Sequence, residues 1–211
     1  MSEKPPDVMR RGPWNDNAEM IAEIGQRLDL IRGPVLDLTY GHGAFWRHWR
    51  PDELVTNDLH PAKGDHSHDV RGRLPEEWHR SFKSVFLDVP YRMAGTKGTG
   101  ARSGDADFDE AYGLDNVRDR DVPYLLCGGV VNAIECVARA GRLFVKCQDG
   151  QWSGGLYQQT RAVEDVARAL WFETTNQFEL PCNPQPQPGK QRNERSNSSI
   201  LLVLKKRSRV K

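Results

Sequence analysis

The sequence predicts an α/β fold built around a mostly parallel sheet. Apolar runs of strand length recur near positions 35, 54, 67, 84, 143, 176 and 200, with helix-period segments in several of the intervals. The run near 84 ends Phe86-Leu87-Asp88 and is followed at once by Val89-Pro90-Tyr91. Pro90 lacks a backbone donor and fixes its own φ, so the strand must stop there. A carboxylate and an aromatic ring are thereby held side by side at a strand's carboxyl end, where open α/β sheets bind ligands. The last two runs face each other across a hairpin, so seven strands with an antiparallel end are expected.

The bulk properties narrow the class. At 211 residues the chain is read as a single domain spanning 1–211, long enough to bury a sizeable core. Charged residues make up 28% and hydrophobic residues 37%, a globular and soluble composition. The formal net charge is +1, so a nucleic-acid surface has to be a local patch. No apolar run reaches membrane-spanning length, and the N-terminus has no signal-peptide core, which points to the cytoplasm. Cys127, Cys136 and Cys147 sit in apolar surroundings and read as reduced, buried thiols; with Cys182 they show no paired spacing.

In chain order, residues 1–12 read as a loose tail. Asp16 or Asn17 caps a helix whose apolar face is Met20, Ile21, Ile24, Leu28 and Ile31. Val35 to Leu38 is a short buried strand, and Gly41-His42-Gly43 is a tight turn permitting close backbone approach to a ligand. Residues 44–49 open a helix. The next strand ends on Asp58, 21 residues after Asp37, close to the spacing of a ribose-binding carboxylate. His66, His68 and Asp69 have metal-like spacing, but the preferred reading is a short third strand ending at Asp69, with His60, His66 and His68 as loop residues and no metal. A short helical or turn segment follows at residues 74–80. Residues 93–121 are too long for an ordinary connection and either fold over a target or form a solvated insertion. A helix over 122–140, a strand from Leu143 that places Lys146 at its carboxyl end, an amphipathic helix over 156–172 and strands at 177–180 and 200–204 complete the chain. Between the last two strands, residues 181–199 form a proline-rich excursion carrying Lys190, Arg192 and Arg195, groups suited to phosphate and base-edge contacts. A solvated hairpin arm is the competing reading. The basic tail at 205–211 either binds nucleic acid or stays solvated.

Two stretches carry a resemblance. Asp88-Val89-Pro90-Tyr91 resembles the D-P-P-Y motif of the amino-methyltransferases, which methylate the exocyclic nitrogen of adenine or cytosine in nucleic acid. Val89 stands where the DNA enzymes usually have proline; an aliphatic residue occurs there in ribosomal-RNA adenine dimethyltransferases. Asp37 through Gly43 resembles motif I of the class I S-adenosylmethionine methyltransferases. A dinucleotide fingerprint would want a third glycine where Trp46 stands. The resemblance spans nearly the whole chain and implies a Rossmann-like class I methyltransferase, seven-stranded, with a C-terminal hairpin. It implies S-adenosyl-L-methionine as cofactor, held by Trp14, Asp37, Thr39, Tyr40, Gly41, Gly43, Asp58, Leu59, Asp69 and Val70. Trp14 reads equally as a staple for the helix entry. Catalysis is implied for Asp88, Val89, Pro90 and Tyr91, and substrate contact for Arg92, Lys97, Lys146, Lys190, Arg192 and Arg195.

The implied target is adenine N6, because the cofactor motifs precede the catalytic one, with DNA favoured over RNA. RNA adenine or cytosine N4, a protein glutamine amide, and a non-catalytic nucleic-acid-binding protein of the same fold remain open. No membrane partner is expected. A small phage-type or mobile-element enzyme is associated with this make-up.

Overall fold

The computed structural model describes residues 10–89, 122–152, 155–181 and 198–208. The elements in order are β1 (Arg10–Arg11), α1 (Asn17–Ala22), β2 (Val35–Asp37), β3 (Leu54–Thr56), β4 (Phe82–Leu87), α2 (Val122–Cys136), β5 (Val137–Cys147), β6 (Gly150–Trp152), β7 (Gly155–Tyr157), α3 (Gln159–Ala169), β8 (Phe172–Pro181) and β9 (Ser198–Lys206). The main sheet runs β1-β8-β9-β5-β4-β2-β3; β6 and β7 form a separate hairpin. β2 pairs in parallel with β3 and with β4, and β4 with β5. β9 runs antiparallel to both β5 and β8, the expected hairpin end.

Six of the seven expected strands form. The one expected near 67 is reduced to a lone parallel bridge, Asn57 to His66. The Asn57 side chain takes over the missing ladder. Its Nδ2 donates to the Leu38 and His68 carbonyls, each at 3.0 Å, and its Oδ1 accepts from the His68 N–H at 2.8 Å. At the opposite edge Arg10 and Arg11, expected to be tail, pair in parallel with Phe178 and Glu179. Arg11 is fixed there by two hydrogen bonds to the Glu179 carboxylate.

Asp16 caps α1 by accepting from the Glu19 N–H at 2.9 Å, and Glu19 reaches back to the Asn15 N–H at 2.8 Å, a reciprocal arrangement of the capping-box kind. The helix then widens into a π turn over Glu23–Arg27 rather than continuing as α. The helix expected at 44–49 is a single 3₁₀ turn, Ala44–Trp46. Pro51 follows closely and disfavours helical backbone at the residue before it. α2 ends earlier than expected, because the chain enters β5 at Val137 and kinks at Ala140 (φ 62°) before full pairing resumes at Arg142. Leu156, expected in the following helix, pairs with Gln151 in the small hairpin instead.

The sheet is covered on both faces. On one, α2 and α3 bury Leu126, Val130, Ala133, Cys136, Val163 and Ala167 against Leu36, Val85, Leu87, Leu143, Val145 and Cys147. On the other, α1 and the turn after β2 bury Trp14, Met20, Ile21, Ile24, Phe45 and Trp46 against Val35, Phe86, Phe144 and Phe178. Phe86 and Phe144 stack at 4.5 Å between centroids, and Phe45 and Trp46 meet Phe86 edge-on, so an aromatic floor underlies the carboxyl ends of β2, β4 and β5.

Candidate active site

The carboxyl ends of β2, β3, β4 and β5 converge on a set of polar side chains. Asp37 closes β2 and is 2% exposed. It accepts from the Trp46 indole N–H at 2.7 Å and from the Thr39 N–H at 3.0 Å. Burial raises its carboxyl to about 7 against those two donors, and the charges of Asp88 and Asp58 add to the rise. Trp46, which stands where a dinucleotide site wants glycine, is thus the residue that anchors the β2 acid. Its role was not legible in the motif, because an indole nine residues from an acid has no spacing signature.

The turn after β2 is built for close approach. Gly41 and Gly43 both have positive φ, 58° and 69°. A Cβ on Gly43 would lie 2.7 Å from the Tyr40 hydroxyl, so the phenol of Tyr40 lies over this glycine. Asp58, just past β3, accepts from the Gly41 N–H and from the His60 N–H, each at 2.8 Å. Two backbone donors fix the carboxylate at the mouth of the turn; an ionised carboxylate offers about four lone-pair sites, so acceptor capacity remains for a ligand diol. Leu59 beside it is 47% exposed.

Asp88 leaves β4 with its N–H donating to the Thr39 hydroxyl at 2.7 Å, which ties the D-V-P-Y segment to the glycine turn. Its Oδ2 lies 3.8 Å from Lys146 Nζ. Val89 is buried at 1% exposure in the α2 face of the core. Asp37, Asp88 and Lys146 share one face of the sheet with the aromatic floor, and Lys146 Nζ stands 5.8 Å from the Phe45 ring centroid.

The remaining expected residues are placed as follows. Trp14 packs in the core edge-on to Phe178, and its indole N–H donates to Glu23 at 2.8 Å. Asp69 is engaged by Arg71 through its N–H, Nε and Nη2, and the guanidinium holds its carboxyl below the usual carboxylate range. The Val70 side chain is buried in the core while its carbonyl accepts from Asn132. Pro90, Tyr91, Arg92, Lys97, Lys190, Arg192 and Arg195 lie outside the described residues, as do the segments 93–121 and 182–197. His66 and His68 set their rings edge-on against Trp78 at 5.1 and 5.2 Å. Among the described residues no group of three His, Cys, Asp or Glu side chains is placed to hold a metal ion, and no helix is long and apolar enough to cross a membrane. Cys136 and Cys147 are buried free thiols with raised pKa values, while Cys127 is half-buried.

No family model matches the sequence, and no curated protein matches it. Solved structures do. A SAM-dependent methyltransferase from Archaeoglobus fulgidus superposes with a TM-score of 0.50 at 9% identity, over 90% of this chain and 94% of that one. The fold is that of the S-adenosylmethionine-dependent methyltransferases. TrmN from Thermus thermophilus gives a TM-score of 0.50 at 14% identity over 90% of this chain, which spans 48% of TrmN. At these identities the likeness is one of fold, and the chemistry has to be read from the site.

Proposed function

We propose that the chain is a methyltransferase that uses S-adenosyl-L-methionine to methylate an exocyclic amine of a nucleic-acid base, adenine N6 of DNA foremost. The observation that carries the reading is the position of Asp88. It closes β4 on the same sheet face as Asp37 and is hydrogen-bonded through its N–H to the glycine turn that Asp58 braces.

The donor set suits the cofactor. Asp58 presents a fixed carboxylate to a vicinal diol, and the positive-φ turn at Gly41 and Gly43 leaves room beside it. Asp37, Asp58 and Asp88 gather around that turn, where the charges of Asp88 and Asp58 raise the Asp37 carboxyl, a crowding that a cationic ligand relieves. Thr39, Tyr40 and Leu59 are assigned to the cofactor's approach, and Asp69 and Val70 to its adenine. When bound, the cofactor supplies an already activated methyl group.

The chain's own part is then orientation. The target base leaves its stack, or comes from a single strand, and rests against Tyr91. The Asp88 carboxylate and the Val89 carbonyl accept from the amine hydrogens, which turns the nitrogen lone pair toward the methyl carbon. The carbon–nitrogen bond forms as the carbon–sulfur bond breaks with its electron pair on sulfur, and one amine proton leaves to water. Residues 93–121 and 181–199 supply contacts to the polymer, with Arg92, Lys97, Lys190, Arg192 and Arg195 on phosphates.

The test is incubation with methyl-labelled S-adenosylmethionine and, separately, unmethylated duplex DNA, single-stranded DNA and total RNA, followed by nucleoside digestion and mass spectrometry. N6-methyladenine from a DNA pool is expected. N4-methylcytosine corrects the base, label confined to RNA corrects the polymer, and no label in any pool despite cofactor binding overturns the nucleic-acid reading in favour of a glutamine amide or a binding-only protein.

A further inference from the structure

Lys146 is expected from the sequence to contact substrate, yet its side chain is 7% exposed. It sits at the penultimate position of β5, paired across the ladder with Leu201 of β9 and covered on the sheet face by the Phe45 ring. A lysine held at that depth is poorly placed to reach a phosphate at the protein surface, and it lies instead on the Asp88 carboxylate.

Burying an ammonium costs several kcal/mol unless an opposite charge faces it. Lys146 Nζ stands 3.8 Å from Asp88 Oδ2, inside ion-pair range but longer than a tight hydrogen bond. Asp88 also has a carboxylate neighbour in Asp37, whose carboxyl its charge raises. A cation beside the carboxylate opposes its swinging away toward water.

We infer that Lys146 is a positioning residue: it holds the Asp88 carboxylate oriented so that Asp88 accepts from the target amine. This rests on the proposed methyl transfer, with Asp88 as the acceptor. Lys146 itself touches neither base nor cofactor, and its effect passes through Asp88. The aromatic floor matters to this arrangement, because the Lys146 ammonium stands over the Phe45 ring, 5.8 Å from its centroid.

The experiment compares wild type with K146M, K146R, D88A and the K146M/D88A double variant, all as the full chain. Calorimetric titration with S-adenosylmethionine reports both folding and cofactor affinity. Single-turnover transfer of labelled methyl to whichever nucleic-acid pool the wild type modifies reports the step itself. K146M is expected to bind cofactor like the wild type while its single-turnover rate falls roughly tenfold or more. K146R should recover most of the rate because it restores the charge. The double variant should be no slower than D88A, because removing Asp88 leaves Lys146 nothing to position. A structural role alone would lower the melting temperature and leave the rate constant for transfer unchanged. Undiminished transfer by K146M, failure of K146R to recover, or a double variant slower than D88A each overturns the inference while the methyltransferase reading stands. Wild-type silence on every pool overturns that reading, and this inference with it.

Discussion

The Thr39 hydroxyl accepts a 2.7 Å hydrogen bond from the Asp88 N–H, joining the turn after β2 to the segment after β4. The two residues are 49 positions apart in the chain but lie on adjacent strands, since Asp37 is in register with Phe86. The bond sets where the D-V-P-Y segment starts relative to the glycine turn. Replacing Thr39 by Val keeps the shape and removes the acceptor. T39V is expected to lose about 1–2 kcal/mol in urea unfolding, the cost of an unpaired partly buried donor. Methyl transfer should fall more than cofactor affinity does, and T39S should restore both. Equal losses in the two would mean that Thr39 serves the cofactor turn alone.

Asp37 gives the fold a pH dependence. Its folded carboxyl titrates near 7, above the ordinary carboxylate value of the unfolded chain, because burial outweighs the two hydrogen bonds it accepts. A group with a raised folded pKa contributes stability at low pH that is lost as pH rises through the folded value. Asp16, Asp69 and Glu179 have lowered values and act with the opposite sign, but that effect is complete by about pH 5. Between pH 5 and 7.5 the stability of the free protein is therefore expected to fall by up to about 3 kcal/mol. Urea unfolding across that range checks it, and D37N should flatten the slope. A stability that climbs from pH 5 to 7.5 would contradict the burial of Asp37.

Gly43 and Gly128 make opposite forecasts for the same substitution. At Gly43 φ is 69° and a Cβ would strike the Tyr40 ring, so G43A should cost about 1–2 kcal/mol and weaken cofactor binding. Gly128 lies inside α2 with nothing within 4 Å of where a Cβ would stand. G128A is expected to stabilise by about 0.5–1 kcal/mol through helix propensity alone, with activity unchanged. Thermal melts of the two variants side by side decide the matter.

Asp58 and Asp88 should separate binding from chemistry. D58A removes the acceptor proposed for the ribose hydroxyls, so calorimetric affinity for S-adenosylmethionine should drop at least about tenfold, the worth of one charge-assisted hydrogen bond. D88A should leave that affinity near the wild-type value and reduce turnover to a residual single-turnover rate. Loss of cofactor binding in a folded D88A would count against its assignment to the amine.

Much of the fold was legible because period and punctuation are local. The strand ending at Asp88 is readable from an apolar run stopped by proline, the glycine turn from Gly41 and Gly43, and the helix start from Asp16 or Asn17 as cap, of which the structure uses Asp16. The strand expected near 67 does not form because the Asn57 side chain replaces its ladder, a substitution with no periodic trace. The helix expected after the turn shortens to one 3₁₀ turn, since three aromatic residues in a short segment look helical whether they line one face or wedge into a core.

The sequence by itself determined the α/β architecture, the antiparallel end and the carboxylates Asp37, Asp58 and Asp88 at strand ends, because strand length, turn chemistry and alternation with helices are written in neighbouring residues. Tertiary structure alone decided what surrounds those carboxylates. Trp46 on Asp37 closes across a turn, while Thr39 on Asp88 and Lys146 buried beside Asp88 rather than facing solvent are contacts between neighbouring strand ends that are distant in the chain. Their physical basis is the parallel register, which brings the ends of β2, β4 and β5 to one level on one face and lets buried charge and hydrogen bonding act between residues that no sequence window contains.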